Sequence, residues 1–352
     1  MEQEIDINVK QLYKQNFQNL QQSQLVLEFS GETINSSLIN GFRRLSMDYV
    51  PTYSFSDRTI TIEKNTSIFN NDYMRLRLSQ LTIPNINIPI NYLDEKYWKN
   101  IDYNNPSREK HPDDKSMTEF YINATNVTTE NINVTTNESS LFVDGVQVTD
   151  KFNSEFPLLL IQLRPNETFV CKCLNVLGVG KNNNIWAAAG NCWFEEIKPK
   201  KYKFTMESQG QLDEYDILLK SCSIIREKIS NIKKIVLDKY MTPNIDELTQ
   251  LKIILENEDH TISNIINEYL QENDQISYSG LSKPDPLVDR MVITISSLNK
   301  NPLKPFLETL DYINSISSNL EKQFQKISKN ININQTNKVS KKKEIGKRTA
   351  KK

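Results

Sequence analysis

Two histidines and four cysteines are the side chains in this 352-residue chain that titrate nearest neutral pH or bind soft metals. In "HPDDK", His111, Asp113 and Asp114 could share a proton or an ion, but a polar, proline-containing loop reads as solvated surface. His260 falls in the first turn of a helix-like stretch, with no nucleophile motif beside it. Cys171 and Cys173 lie two apart in a strand-like run, so both point to one face. Cys192 and Cys222 lack the C-x-x-C spacing of a tetrahedral zinc site, and zinc is not expected here. The chain has no D-x-D-x-D cluster to hold paired Mg2+ ions, no phosphate-binding glycine loop and no dinucleotide fingerprint. These residues predict no catalytic, cofactor or metal site in this chain.

What remains is charge and shape. The formal net charge is −1, which excludes a chain built wholly around nucleic-acid binding. Basic charge is nevertheless concentrated in "KVSKKKEIGKRTAKK", residues 338–352, and in the adjacent pair Arg43-Arg44. Four cysteines make no disulfide framework, the start lacks a signal-like apolar stretch, and no apolar run approaches the roughly 18 residues of a membrane helix. An intracellular, reduced protein without membrane contact is expected.

The elements that must position these charges follow a repeated pattern. "QLVLEF" alternates as a half-buried strand, with Ser30 or Thr33 as the expected helix cap. Ile34, Leu38, Phe42, Leu45 and Tyr49 then form one helical face, ended by Pro51. The second half repeats this: "LKIILE", Asp259 as cap, and a stripe of Ile262, Ile265, Ile266, Tyr269 and Leu270. "RTITIE" and "RMVITIS" are read as the strands that follow each copy. Each half closes on a long helix with alternating steps of three and four. One carries Leu218, Cys222, Ile225, Ile229, Ile232 and Val236. The other carries Leu303, Phe306, Leu310, Ile313, Leu320, Phe324 and Ile327, with a polar break at Ser317. Such narrow seams suit packing against a second helix, or each could cover its own sheet. Residues 85–196 are rich in Val, Thr, Phe and Ile between turn residues, a β-rich insert that makes the first domain discontinuous.

In this order the features resemble the assembly-platform subunits of multisubunit DNA-dependent RNA polymerases: the bacterial alpha subunit, the archaeal D and L subunits, and the third-largest and eleventh subunits of eukaryotic RNA polymerase II. "INGFRRLSMDYVPTYSFSDRTITIEKNTSIFNNDYMRLRLSQLTI" resembles the alpha motif, with its N-x-x-R-R helix and E-x-N-T-S strand exit. "LLLIQLRPNETFVCKCLNVLGVGKNNNIWAAA" resembles the end of the third-largest subunit's insert. "ENEDHTISNIINEYLQENDQISYSGLSKPDPLVDRMVITI" resembles the eleventh subunit. There are departures. The family's H-A-K-W appears as Asn184-Ile185-Trp186, its P-H-P as Pro284-Asp285-Pro286, and the loop "DEKYWKNIDYNNPSREKHPDDK" has none of the cysteines with which many relatives hold zinc. Both halves in one chain are similar to the fused subunit of large nucleocytoplasmic DNA viruses.

The resemblance implies an α+β fold in which two alpha-like dimerisation modules form an intramolecular pseudo-dimer, with a β-rich insert in the first. The expected boundaries are an N-terminal extension at 1–19, a first module at 20–84 and 197–242, and the insert at 85–196. The second module follows at 243–328 and a basic, disordered tail at 329–352. The implied function is non-catalytic: joining the two largest polymerase subunits for viral transcription, with small subunits as further partners and Mg2+ held on the catalytic subunits. Nucleic acid would be met only through the complex, and self-association would be absent. Arg43 and Arg44, off the apolar stripe, would dock the large subunits together with Glu63, Asn65 and Thr66, although the last three could equally satisfy a local turn. Virion and cytoplasmic viral factory are the implied locations, with the nucleus as the alternative. The competing reading is a free-standing nucleic-acid-binding or virion structural protein acting through its basic tail.

Overall fold

The computed structural model describes residues 4–17, 22–84, 86, 88–99, 111–114, 116–149, 151–241 and 245–349, with backbone alone beyond 329. The chain opens with β1 (Asn8–Asn16) and β2 (Ser23–Ser30), an antiparallel pair. Residues 1–19, expected as an extension, therefore supply an edge strand. Leu25, Leu27 and Phe29 of β2 face the core, and α1 (Ser36–Asp48) follows. Its N-cap is Asn35, which accepts from the Leu38 N–H at 2.9 Å, rather than Ser30 or Thr33. The Thr33 hydroxyl instead accepts from the Asp6 N–H at 2.9 Å and holds the entry to β1.

Pro51 begins β3 (Pro51–Asn65), followed by α2 (Asn71–Ser79), the short α3 (Glu95–Trp98) and β4 (Thr118–Thr125). Next come β5 (Ile132–Thr135), β6 (Ser139–Val143), β7 (Val146–Val148), β8 (Leu159–Leu163) and β9 (Thr168–Val179). One sheet has the order β3-β9-β4-β6-β7, and β5 pairs with β8. Because β3 pairs with β9 from Pro51↔Val179 to Asn65↔Phe169, all of β3 belongs to the insert. The insert thus starts at Pro51, not at 85, and "RTITIE" is one of its strands rather than a member of the repeat.

The chain then forms β10 (Ala189–Lys198), β11 (Lys201–Ser208) and the long α4 (Glu214–Tyr240). The first half's sheet runs β1-β2-β11-β10, so the expected boundary at 196/197 falls inside β10. The second half contributes β12 (Gln250–Glu256), α5 (His260–Gln271), β13 (Ile276–Ser282), β14 (Arg290–Ser297) and α6 (Leu303–Thr349). Its sheet order is β12-β14-β13. With β1 and the insert set aside, both halves read strand, helix, strand, strand, long helix, with sheet order first-third-second. The duplication expected from pattern lies here, with β10 and β11 as the counterparts of β13 and β14. Helical backbone in α6 continues to Thr349, into the region expected to be a disordered tail. No proline follows Pro305, and Lys, Glu and Gln are good helix formers, so the backbone meets no strong stop.

Each half buries one sheet face beneath helices, and the aromatic core runs across the boundary between them. Phe324 of α6 meets Phe29 and Phe42 of the first half edge-on, at centroid distances of 6.1 and 6.0 Å. Fully burying such side chains contributes about 1.5–3 kcal/mol each. No helix among the described residues is long and apolar enough to cross a membrane.

Candidate functional site

The two halves meet through two helix pairs. In the first, α4 lies antiparallel to α6: Arg226 pairs with Glu321 at 2.5 Å, and Lys233, further along α4, pairs with Asp311, earlier on α6, at 2.6 Å. Beside these ion pairs runs the buried seam of α4: Leu218, Cys222, Ile225, Ile229, Ile232 and Val236. Opposite them Leu303, Phe306, Leu310, Ile313, Leu320 and Phe324 of α6 are buried, and Ile327 is partly so. The polar break at Ser317 is itself a link: its hydroxyl donates to the Cys222 carbonyl across the pair at 2.9 Å. Gln323 extends the contact to β1, donating to the Ile7 carbonyl at 2.7 Å and accepting from the Val9 N–H at 2.8 Å. One side-chain amide thus occupies backbone groups that an open strand edge would otherwise expose.

The second pair, α1 and α5, is also antiparallel but polar at its ends. At its centre Gly41 lets Ile265 approach so closely that a Cβ there would lie 2.5 Å from the Ile265 Cδ1. The Tyr49 hydroxyl, at the end of α1, donates to Asp259, the N-cap of α5, at 2.8 Å. Reciprocally, the Tyr269 hydroxyl near the end of α5 donates to the Thr33 carbonyl ahead of α1 at 3.0 Å. Each helix thus ends near a tyrosine that bonds the N-terminal end of the other.

Charge gathers around Asp259. Arg44 donates to its Oδ2 at 3.3 Å, and the Lys181 ammonium lies 3.5 Å from the same oxygen. Burial alone would raise this carboxyl, but hydrogen bonds from Thr261 and the charges of Arg44 and Lys181 outweigh it and hold the group below the usual carboxylate range. Beside it, buried Lys228 of α4 donates to both oxygens of buried Glu258, at 2.9 and 3.1 Å. Burial raises Glu258 despite that partner, and burial followed by the Asp259 charge and hydrogen bond raises the Tyr49 hydroxyl. The Tyr49 ring lies 5.2 Å from the Lys181 ammonium and 5.0 Å from that of Lys228.

The expected docking residues divide. Arg44 does not face outward: it is half-buried and spent on Asp259, with Asp48 3.9 Å away. The α1 face beside its apolar stripe is the face on which α5 packs, so pointing away from the stripe did not mean pointing to solvent. Arg43 is half-buried, donating to Asn40 Oδ1 at 2.9 Å and lying 3.9 Å from the Met47 sulfur. Asn65 donates to the Phe69 carbonyl and to Asn71 and accepts from the Ser67 N–H, while Thr66 exchanges hydrogen bonds with Thr168. The Asn65 bonds are local to the turn after β3, whereas the Thr66 bonds cross to the start of β9. Glu63 is exposed.

Cys171 and Cys173 meet side by side in β9, and that contact together with burial raises the Cys173 thiol. All four cysteines are free and buried, and burial pushes the Cys192 thiol up to about 12. Among the described residues no group of three His, Cys, Asp or Glu side chains could hold a metal ion. His111 accepts from the Asp113 N–H at 3.2 Å, Asp114 accepts from Tyr53, and His260 is exposed at the start of α5. The loop compared with the family's zinc loop lies partly outside the described residues, at 100–110 and 115.

With this geometry in view, a family model described as the RNA polymerase Rpb3/Rpb11 dimerisation domain matches residues 250–323, from β12 into α6. The second half is similar to the Rpb3/Rpb11 dimerisation domain. The chain is also 28% identical over 309 residues to a protein of Acanthamoeba polyphaga mimivirus provisionally described as a DNA-directed RNA polymerase subunit. That alignment covers 81% of this chain and 85% of the mimivirus protein. The resemblance to RNA polymerase subunits read from the motifs therefore holds.

Several residues at the contacts of this dimerisation domain escaped sequence reasoning. Lys228 carried a readable signal, since it sits three residues after Ile225 and four before Ile232, on the apolar seam. Lys181 and Asp289 carried none, because both lie in loops whose meeting depends on the fold.

Proposed function

We propose that this chain is the assembly platform of a viral DNA-directed RNA polymerase, a fused counterpart of the third-largest and eleventh subunits. Its two halves form an intramolecular pseudo-dimer that joins the two largest catalytic subunits. The observation that carries this reading is the repeated strand-helix-strand-strand-helix order in both halves, one of which matches the dimerisation-domain family. The mimivirus relative, aligned over most of both chains, supports the same assignment. Mechanistically the chain contributes interface energy and geometry and no bond chemistry, leaving Mg2+ to the catalytic subunits. Covalent linkage of the halves replaces a bimolecular encounter with a high effective concentration. A pseudo-dimer closed within one chain should be monomeric, and virion and cytoplasmic viral factory are where it should act.

Affinity capture of the tagged full chain from cells making the polymerase is expected to bring down both large subunits together. Recovery of neither overturns the reading. Arg43→Glu, with Arg44 left in place to hold Asp259, should lower that recovery at least tenfold while the free chain stays folded. Unchanged recovery would remove Arg43 from the docking surface without touching the rest.

A further inference from the structure

The insert returns to the first half through a turn whose opening residues touch three parts of the molecule. At Gly180 a Cβ would lie 2.0 Å from the Met47 carbonyl oxygen, so the turn sits directly on the last turn of α1. The next residue donates its backbone N–H to the Asp48 carbonyl at 2.8 Å. Its side chain then crosses to the second half: Lys181 Nζ donates to the Tyr49 hydroxyl at 2.9 Å and to Asp289 Oδ2 at 3.0 Å, and lies 3.5 Å from Asp259. The Tyr49 hydroxyl in turn donates to Asp259, making a continuous chain of hydrogen bonds from the insert to the N-cap of α5. Asp289, between β13 and β14, also takes Lys283 on its other oxygen at 3.4 Å.

We infer that Lys181 is a latch, a positioning residue through which seating of the second half fixes the angle of the insert on the first. The insert joins the first half at Val50-Pro51 and at the turn after Val179, and Lys220 of α4 also donates to the Ile88 and Ile90 carbonyls of the insert. Those contacts involve the first half alone; the Lys181 ammonium adds the bond that ties the second half to the same junction. An exposed ion pair would contribute little, but here Asp259 and Tyr49 are buried and the cation is shared among three oxygens. Any partner that touches both the insert and the second half then meets a surface already in place. The latch belongs to the free chain and stands whether or not the assembly reading does.

Hydrogen exchange followed by mass spectrometry on the full-length chain tests it. In Lys181→Met, amides at the base of β3 and β9 and in 283–290 should exchange faster, on the order of tenfold, while α4 and α6 keep their protection. Lys283→Met removes a neighbour of the same Asp289 without touching the insert and should leave β3 and β9 at the wild-type rate. Should Lys181→Met fail to fold, Asp289→Asn should give the same local pattern. The latch is overturned by wild-type exchange at the insert base, by equal acceleration in α4 and α6, or by Lys283→Met reproducing the effect.

Discussion

The two helix pairs that hold the halves together face the same task with different chemistry. The α4–α6 pair is an apolar seam bridged by the buried Ser317 hydroxyl, with ion pairs beside it. The α1–α5 pair has a glycine at its closest approach and the half-buried Arg44–Asp259 pair at one end, next to the buried ion pair that Lys228 of α4 makes with Glu258. Apolar contact is non-directional and large in sum, so it supplies most of the energy but tolerates sliding. Paired charges break close to even once desolvation is counted, yet they penalise wrong arrangements heavily. The difference assigns cohesion to the long helices and register to the short ones.

That division can be broken most directly at Phe324. Phe324→Ala removes the ring shared by Phe29 and Phe42 and should cost about 3–5 kcal/mol in chemical denaturation. Arg44→Ala at the polar pair should cost only about 1 kcal/mol, and equal losses would refute the division.

Next in size is Lys228→Met, which strands Glu258 in the interior and should cost about 3 kcal/mol. Adding Glu258→Leu should recover most of that loss in the same denaturation measurement. Failure to recover would mean that the pair contributes net energy and that the polar contact is cohesive after all.

The smallest effect sharpens the comparison through pH. Asp259 has a folded pKa below its ordinary 3.8. Its stabilisation is therefore complete above that value and lost as pH falls through the lower folded value. Asp259→Asn should cost about 1–2 kcal/mol near pH 7, and the gap to wild type should narrow only below about pH 4. Phe324→Ala should show no such narrowing. A constant gap for Asp259→Asn would place its role in shape rather than charge.

How far the sequence could be read depends on how local the cause is. The seams on α4 and α6 were legible because 3.5-residue spacing is a property of a single helix. The Asp259 cap was legible for the same reason, while Asn35 was missed because Ser30, Thr33 and Asn35 are all competent caps and only the path of the entering chain selects one. The insert boundary was misplaced because β3 alternates equally well for either sheet, and its pairing with β9 is made more than a hundred residues away. Arg44 was misread because a helix face off one stripe can still be covered by a second helix.

By itself the sequence determined the principal helices, the existence of a repeat, the apolar seams and the kinship to polymerase subunits, all carried by periodicity or by short motifs. Only the tertiary structure decided that Ser317 bridges the seam, that Arg44 turns inward and that Lys181 joins three parts of the chain. Those contacts depend on distances between segments far apart in the chain, and long-range proximity leaves no periodic mark along it.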